Sequence, residues 1–97
     1  MVPVAFSIEA TADFEGECKK LFKGNSKLKE ALKKKAKEIG ENPFHFKPLK
    51  APLQGFRRVH LLGCFVLIYE IKEKEEKVVF VRLAHHDEAY GKKLKRE

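Results

Sequence analysis

Residues 55–84 read GFRRVHLLGCFVLIYEIKEKEEKVVFVRLA, and this stretch decides the fold. The runs GFRRVHLL, CFVLIYEI and KVVFVRLA are rich in Val, Ile, Leu and Phe, residues that suit a pleated, half-buried surface. Gly63 separates the first two runs and the polar KEKEE separates the last two. Links this short join only antiparallel neighbours, so the stretch predicts a three-strand meander.

Working back from the meander, Pro43, Pro48 and Pro52 mark a loop, and helical periodicity precedes it. Leu28, Leu32, Ala36 and Ile39 share one face of a helix that Ser26 would cap and Gly40 would end. Phe14, Cys18, Leu21 and Phe22 share a face of an earlier helix, capped by Asp13 or Thr11 and stopped at Gly24. The short GNS link predicts an antiparallel helical hairpin. Before it, Val2, Val4, Phe6 and Ile8 alternate with Pro3, Ala5, Ser7 and Glu9, the period of a half-buried strand. Pro3 offers no amide donor, so the start of that strand either lies at an edge or is unpaired there. The predicted class is α+β: an antiparallel-dominated sheet of the N-terminal strand plus the meander, with the helical hairpin on one face. The other face is left partly open, which makes it the natural place for a site.

Ninety-seven residues suffice for one modest core and not for two, so residues 1–97 are expected to form a single domain. At 43% hydrophobic the chain is too apolar for a disordered tail. Its formal net charge of +7 favours polyanionic partners. Lys19, Lys20, Lys23, Lys27, Lys29, Lys33, Lys34, Lys35 and Lys37 crowd the outward side of the helices with few acids among them. That face is either a solvated surface, of the kind common in thermophiles, or a surface that tracks phosphates. The segment MVPVAFSIEA has no basic leader, and VHLLGCFVLIY is far too short to span a bilayer. A cytoplasmic protein with reduced thiols and no membrane partner is expected.

Alternation along the first meander strand puts Phe56, Arg58 and His60 on one face and Arg57, Val59 and Leu61 on the other. A basic, histidine-bearing stripe is unusual for packing alone. His86 lies just past the last strand, where the meander can bring it near His60. His85 and His86, if extended, point to opposite sides, so only one of them can face such a site. The set His60, Cys64, His85 and His86 lacks metal-ligand spacing, and no metal or other cofactor is expected. Cys64 has no signature of a nucleophile around it, and Cys18 reads as a small core residue. Phe44 and Phe46, which flank His45, read as core before they read as a stacking platform.

FKPLKAPLQGFRRVHLLGCFVLIYEI followed by VVFVRLAHHDEAYG resembles the RelE/ParE toxin superfamily, most closely its YafQ branch. The resemblance spans Phe46 to Gly91 and rests on an ordered set: Gly-aromatic-Arg, a strand histidine, Leu-Ile-Tyr, and His-x-x-x-aromatic-Gly. It implies a ribosome-dependent mRNA endonuclease held inactive in a hetero-oligomer with a cognate antitoxin. It also implies roles by position. His60 and His86 match active-site histidines, and Tyr90 matches an aromatic that contacts mRNA. Phe65 falls at a tryptophan position, and Lys47 at a further histidine position. Cys64 stands where the branch carries a catalytic aspartate, so Asp87 or Glu88 would have to supply an acid, if one is used. With that chemistry, Arg58 and Arg82 become candidates for stabilising phosphorane charge. Two other readings stay open: a toxin of this fold that binds its target without cutting RNA, as a gyrase-directed ParE-like protein would, or an unrelated basic RNA-binding domain.

Overall fold

The computed structural model describes residues 6–49 and 55–86. In chain order these form β1 (Ser7–Ala10), α1 (Ala12–Leu21), α2 (Ser26–Glu41), β2 (Lys47–Pro48), β3 (Phe56–Leu61), β4 (Phe65–Lys72) and β5 (Lys77–His85). They build a five-stranded mixed sheet in the order β1-β5-β4-β3-β2. The meander is present as predicted: β3 pairs antiparallel with β4, and β4 antiparallel with β5. β1 lies at an edge and runs parallel to β5, with Ser7 opposite Lys77 and Ala10 opposite Phe80.

Both helices feed one core. Phe14 of α1 and Leu28 and Ile39 of α2 pack with Val59, Leu61, Leu67, Tyr69, Val78, Phe80 and Leu83 of the meander. The predicted inward residues Cys18, Leu21, Phe22, Leu32 and Ala36 border the same cluster. Each fully buried aliphatic side chain of this size contributes about 1.5–3 kcal/mol relative to an exposed one. The other sheet face is less open than the alternation suggested. Phe56, Val66, Ile68 and Ala84 form a second, smaller buried cluster there, flanked by Leu49 and Val81.

Of the two cap candidates for α1, Thr11 is the one used, accepting the Phe14 amide at 3.1 Å. Other local details differ from the sequence expectations. Asn25, not Ser26, caps α2 by accepting the Leu28 amide at 3.2 Å. α1 ends at Leu21 with Phe22 as its C-cap, and Gly24, at φ 66°, lies in the turn that follows rather than at the helix end. Gly40 is no stop, because α2 runs on to Glu41. It is instead a buried point of close approach, where its carbonyl accepts the Phe6 amide at 2.9 Å. An added Cβ there would stand 3.5 Å from the Phe6 carbonyl oxygen. β1 is exposed along its length rather than half-buried, because its single strand neighbour is β5 and Ile8 stays 39% accessible. Residues 2–5 of the expected strand lie outside the described residues. The two-residue strand β2 sits where the prolines predicted only loop.

No helix among the described residues is long and apolar enough to cross a membrane. Seven of the helical lysines expected outward are exposed on α1 and α2: Lys19, Lys20, Lys27, Lys29, Lys33, Lys34 and Lys37. Lys35 is not one of them. It is half-buried, lies 5.5 Å over the Phe46 ring and pairs with Glu38 at 3.2 Å.

Candidate active site

The register of the meander assembles the site. His60 on β3 stands opposite Val66 of β4, which stands opposite Ala84 of β5. One ladder step further, the His86 amide donates to the Cys64 carbonyl at 2.7 Å. This bond extends the pairing past the end of β5 and carries His86 back toward β3. The imidazoles of His60 and His86 stack with centroids 5.6 Å apart and planes inclined by 25°. Both histidines are exposed. Either ring can therefore take or give a proton to a group placed over the pair.

Cys64 owes its place to a tight turn in which Leu62 and Gly63 both adopt positive φ, 53° and 76°. Its contribution to the pair comes from its backbone carbonyl. Arg58 lies two residues before His60 on the same strand, so it shares the His60 face. Lys47 on β2 stands directly opposite Arg58, adding a second cation at the same level of the sheet.

Other sequence candidates lie elsewhere. Phe65 packs against the helix-side core and meets His85 edge-on at 5.7 Å, so these two sit together on the face away from His60 and His86. Arg82 stands opposite Ile68, but a bulge between Ile68 and Tyr69 puts Val81 out of register just before it. Its Nη1 lies 3.6 Å from Glu17 Oε2 on α1, and its buried Nε has no hydrogen-bond partner. The guanidinium is thus drawn toward α1. Tyr90, Asp87 and Glu88 lie outside the described residues.

Glu17 escaped the sequence reading. It is an acid within a lysine-rich helix, and its neighbour Cys18 drew the attention as a core residue. The available signal was its position three residues after Phe14, at the border of the inward face. Beside it, between α1 and β5, lies a cavity of about 160 Å³ lined by Glu17, Lys20, Arg82 and His85 among others.

A five-stranded mixed sheet with two helices matches the fold of RelE- and YafQ-like toxins. The family model described as "ParE toxin of type II toxin-antitoxin system, parDE" matches residues 6–90. The chain therefore belongs to this toxin family, within the RelE/ParE superfamily. A protein of Methanocaldococcus jannaschii named "Putative toxin RelE4" is 40% identical over 88 residues, which are 91% of this chain and 94% of that protein. A metal-bound toxin from Helicobacter pylori superposes with a TM-score of 0.70 at 34% identity, covering 88% of this chain and 99% of that one. YafQ from E. coli gives a TM-score of 0.72 at 22% identity, over 89% of this chain and 99% of its own, and at that identity shows the shared fold alone. The metal belongs to the H. pylori protein. Among the described residues here, no group of three or more His, Cys, Asp or Glu side chains could hold a metal ion.

Proposed function

We propose that this toxin is a ribosome-dependent mRNA endoribonuclease that works by histidine acid–base chemistry. The observation that carries the proposal is the stacking of His60 on His86, 5.6 Å apart at an exposed end of the sheet. One histidine takes the proton of an mRNA 2′-OH, and the 2′-oxygen attacks the adjacent phosphorus. The bond from phosphorus to the 5′-oxygen breaks, and the second histidine protonates the leaving oxygen. His86 is the candidate general acid or base, with His60 as its partner. Arg58 and Lys47, fixed by strand pairing, are suited to offset charge on the phosphorane without reorganisation. Arg82 would join them only after leaving Glu17. Tyr90 is proposed to stack on a base, and Asp87 to assist substrate binding.

The exposed lysines of α1 and α2 suit ribosomal RNA, a docking task that needs little sequence specificity. The partner that restrains the toxin is proposed to be a cognate antitoxin, bound in a hetero-oligomer. Family membership and solved relatives such as the E. coli DinJ-YafQ toxin-antitoxin complex support that expectation. A target on translating ribosomes makes the cytoplasm the proposed location. The described residues share one sheet, which supports a single toxin domain over residues 1–97.

A second reading, a toxin that binds its target without cutting RNA, is favoured by Cys64. A thiol there is a poor replacement for the carboxylate that the resemblance expects. Induced expression of the wild type beside His86→Ala, with primer extension on a translated mRNA, separates the two. New RNA ends that disappear in the variant support cleavage through His86. Growth arrest without new ends would support the binding reading, and equal cleavage by the variant would remove His86 from the mechanism.

A further inference from the structure

We infer that Glu17 of α1 is a positioning residue for the histidine site, an inference that rests on the cleavage reading above. The reason begins at the edge of the sheet. β1 ends at Ala10, and the last bond it gives β5 is the Thr11 amide to the Phe80 carbonyl at 3.1 Å. β5 continues to His85, while the chain beside it has turned into α1. The amide of Leu83 would then face that side without a strand acceptor, and a buried amide left unpaired is costly. Glu17 supplies the acceptor: its Oε1 takes the Leu83 amide at 2.9 Å. Its Oε2 lies 3.6 Å from Arg82 Nη1.

One carboxylate therefore holds two consecutive residues immediately after the bulge. A bulge re-aims the strand that follows it, and it does so reproducibly only if its far side is fixed. Leu83 is fully buried, so the clamp closes on an anchored residue. Three residues later His86 meets His60. A strand free to shift at Leu83 would move the His86 ring relative to its partner, and displacements of about 1 Å at a reacting group can cost on the order of 100-fold in rate. Satisfying one amide would require only a neutral acceptor. The second oxygen and its cationic neighbour point to a further task, holding the direction of the strand and the guanidinium together.

The test compares Glu17→Ala with Glu17→Gln, which keeps an oxygen for Leu83 but loses the charge that faces Arg82. Cleavage of ribosome-bound mRNA is followed at saturating toxin and as a function of ribosome concentration, alongside Tm. The expected result is a fall in kcat of about 10- to 100-fold for Glu17→Ala with KM for the ribosome unchanged, and a partial rescue in Glu17→Gln. Unchanged kcat in both variants, or a loss that only follows the fraction unfolded, would overturn the inference. If the wild type itself fails to cleave, the cleavage reading falls separately. The positioning claim is then judged by NMR contacts between the His60 and His86 rings: weakening in folded Glu17→Ala supports it, and unchanged contacts overturn it.

Discussion

The Tyr69 hydroxyl donates a 2.7 Å hydrogen bond to the carbonyl of Pro43, joining the central strand β4 to the loop that follows α2. Tyr69 is fully buried in the helix-side core, and Pro43 is buried as well. Removing the hydroxyl leaves a buried carbonyl without this donor. Tyr69→Phe is expected to destabilise the fold by about 1–3 kcal/mol, read from the midpoint of urea unfolding.

Burial pushes the Tyr69 phenol up to about 12 from an ordinary 10.0, against a smaller opposing effect of the Arg57 guanidinium. Burial, aided by Glu17 and Glu15, pushes the Cys18 thiol up to about 11 from 9.0. Both groups ionise more easily in the unfolded chain, so the unfolded chain binds fewer protons at alkaline pH and stability falls as pH rises. The contribution of each is complete below its ordinary value. It is lost between about pH 9 and 11 for Cys18 and between about pH 10 and 12 for Tyr69. Unfolding midpoints measured from pH 8 to 12 are expected to drop across this window, and Cys18→Ser should remove the earlier part of the drop.

Thiol alkylation gives an independent check on Cys18. With the thiol raised to about 11, its thiolate is only about one part in a thousand at pH 8. Peptide mass spectrometry after iodoacetamide treatment of the folded protein is expected to show slow modification of Cys18, accelerating on denaturation.

Glu76 closes the turn before β5 in the left-handed region, at φ 51° and ψ 47°. A side chain there crowds its own backbone, and glycine removes that conflict. Its backbone carbonyl, which accepts the Ser7 amide at 3.1 Å, is kept in a substitution. Glu76→Gly is expected to stabilise the protein by about 1 kcal/mol, visible as a rise in Tm, with no effect on RNA cleavage because the turn is remote from His60 and His86.

Cys64 offers the sharpest change at the proposed site. Its carbonyl receives the His86 amide, and that bond survives any side-chain substitution. Cys64→Asp is expected to raise the single-turnover rate of mRNA cleavage by about tenfold or more, the scale of a positioned acid–base group. An unchanged rate would show that no carboxylate is missing at this position.

The meander was legible because strand length, β-branched composition and short links all agreed between Gly55 and Ala84. The inward faces of both helices were legible for the same reason, from Phe14 through Ile39. The His60–His86 pairing followed from alternation and strand order. What escaped depends on distance in sequence. The parallel pairing of β1 leaves no local trace, and Gly40 looked like a helix end because its closeness to Phe6 is tertiary. Arg82 shares a ladder row with Arg58 through Ile68, yet its guanidinium reaches Glu17 on α1, a tertiary contact that hydrophobic alternation has no means of signalling. Glu17 was invisible because its partners, Leu83 and Arg82, lie more than sixty positions away.

The parallel pairing of β1 with β5 sets an order of assembly during synthesis. Ser7 waits for Lys77, a partner that leaves the ribosome 70 residues later. Until then a nascent chain can form its helices but cannot close the sheet. A chain broken off anywhere before β5 therefore carries neither a complete sheet nor the His60–His86 pair. For a protein whose proposed target is the translation machinery, a chain cut short during synthesis is thereby kept from assembling the proposed site.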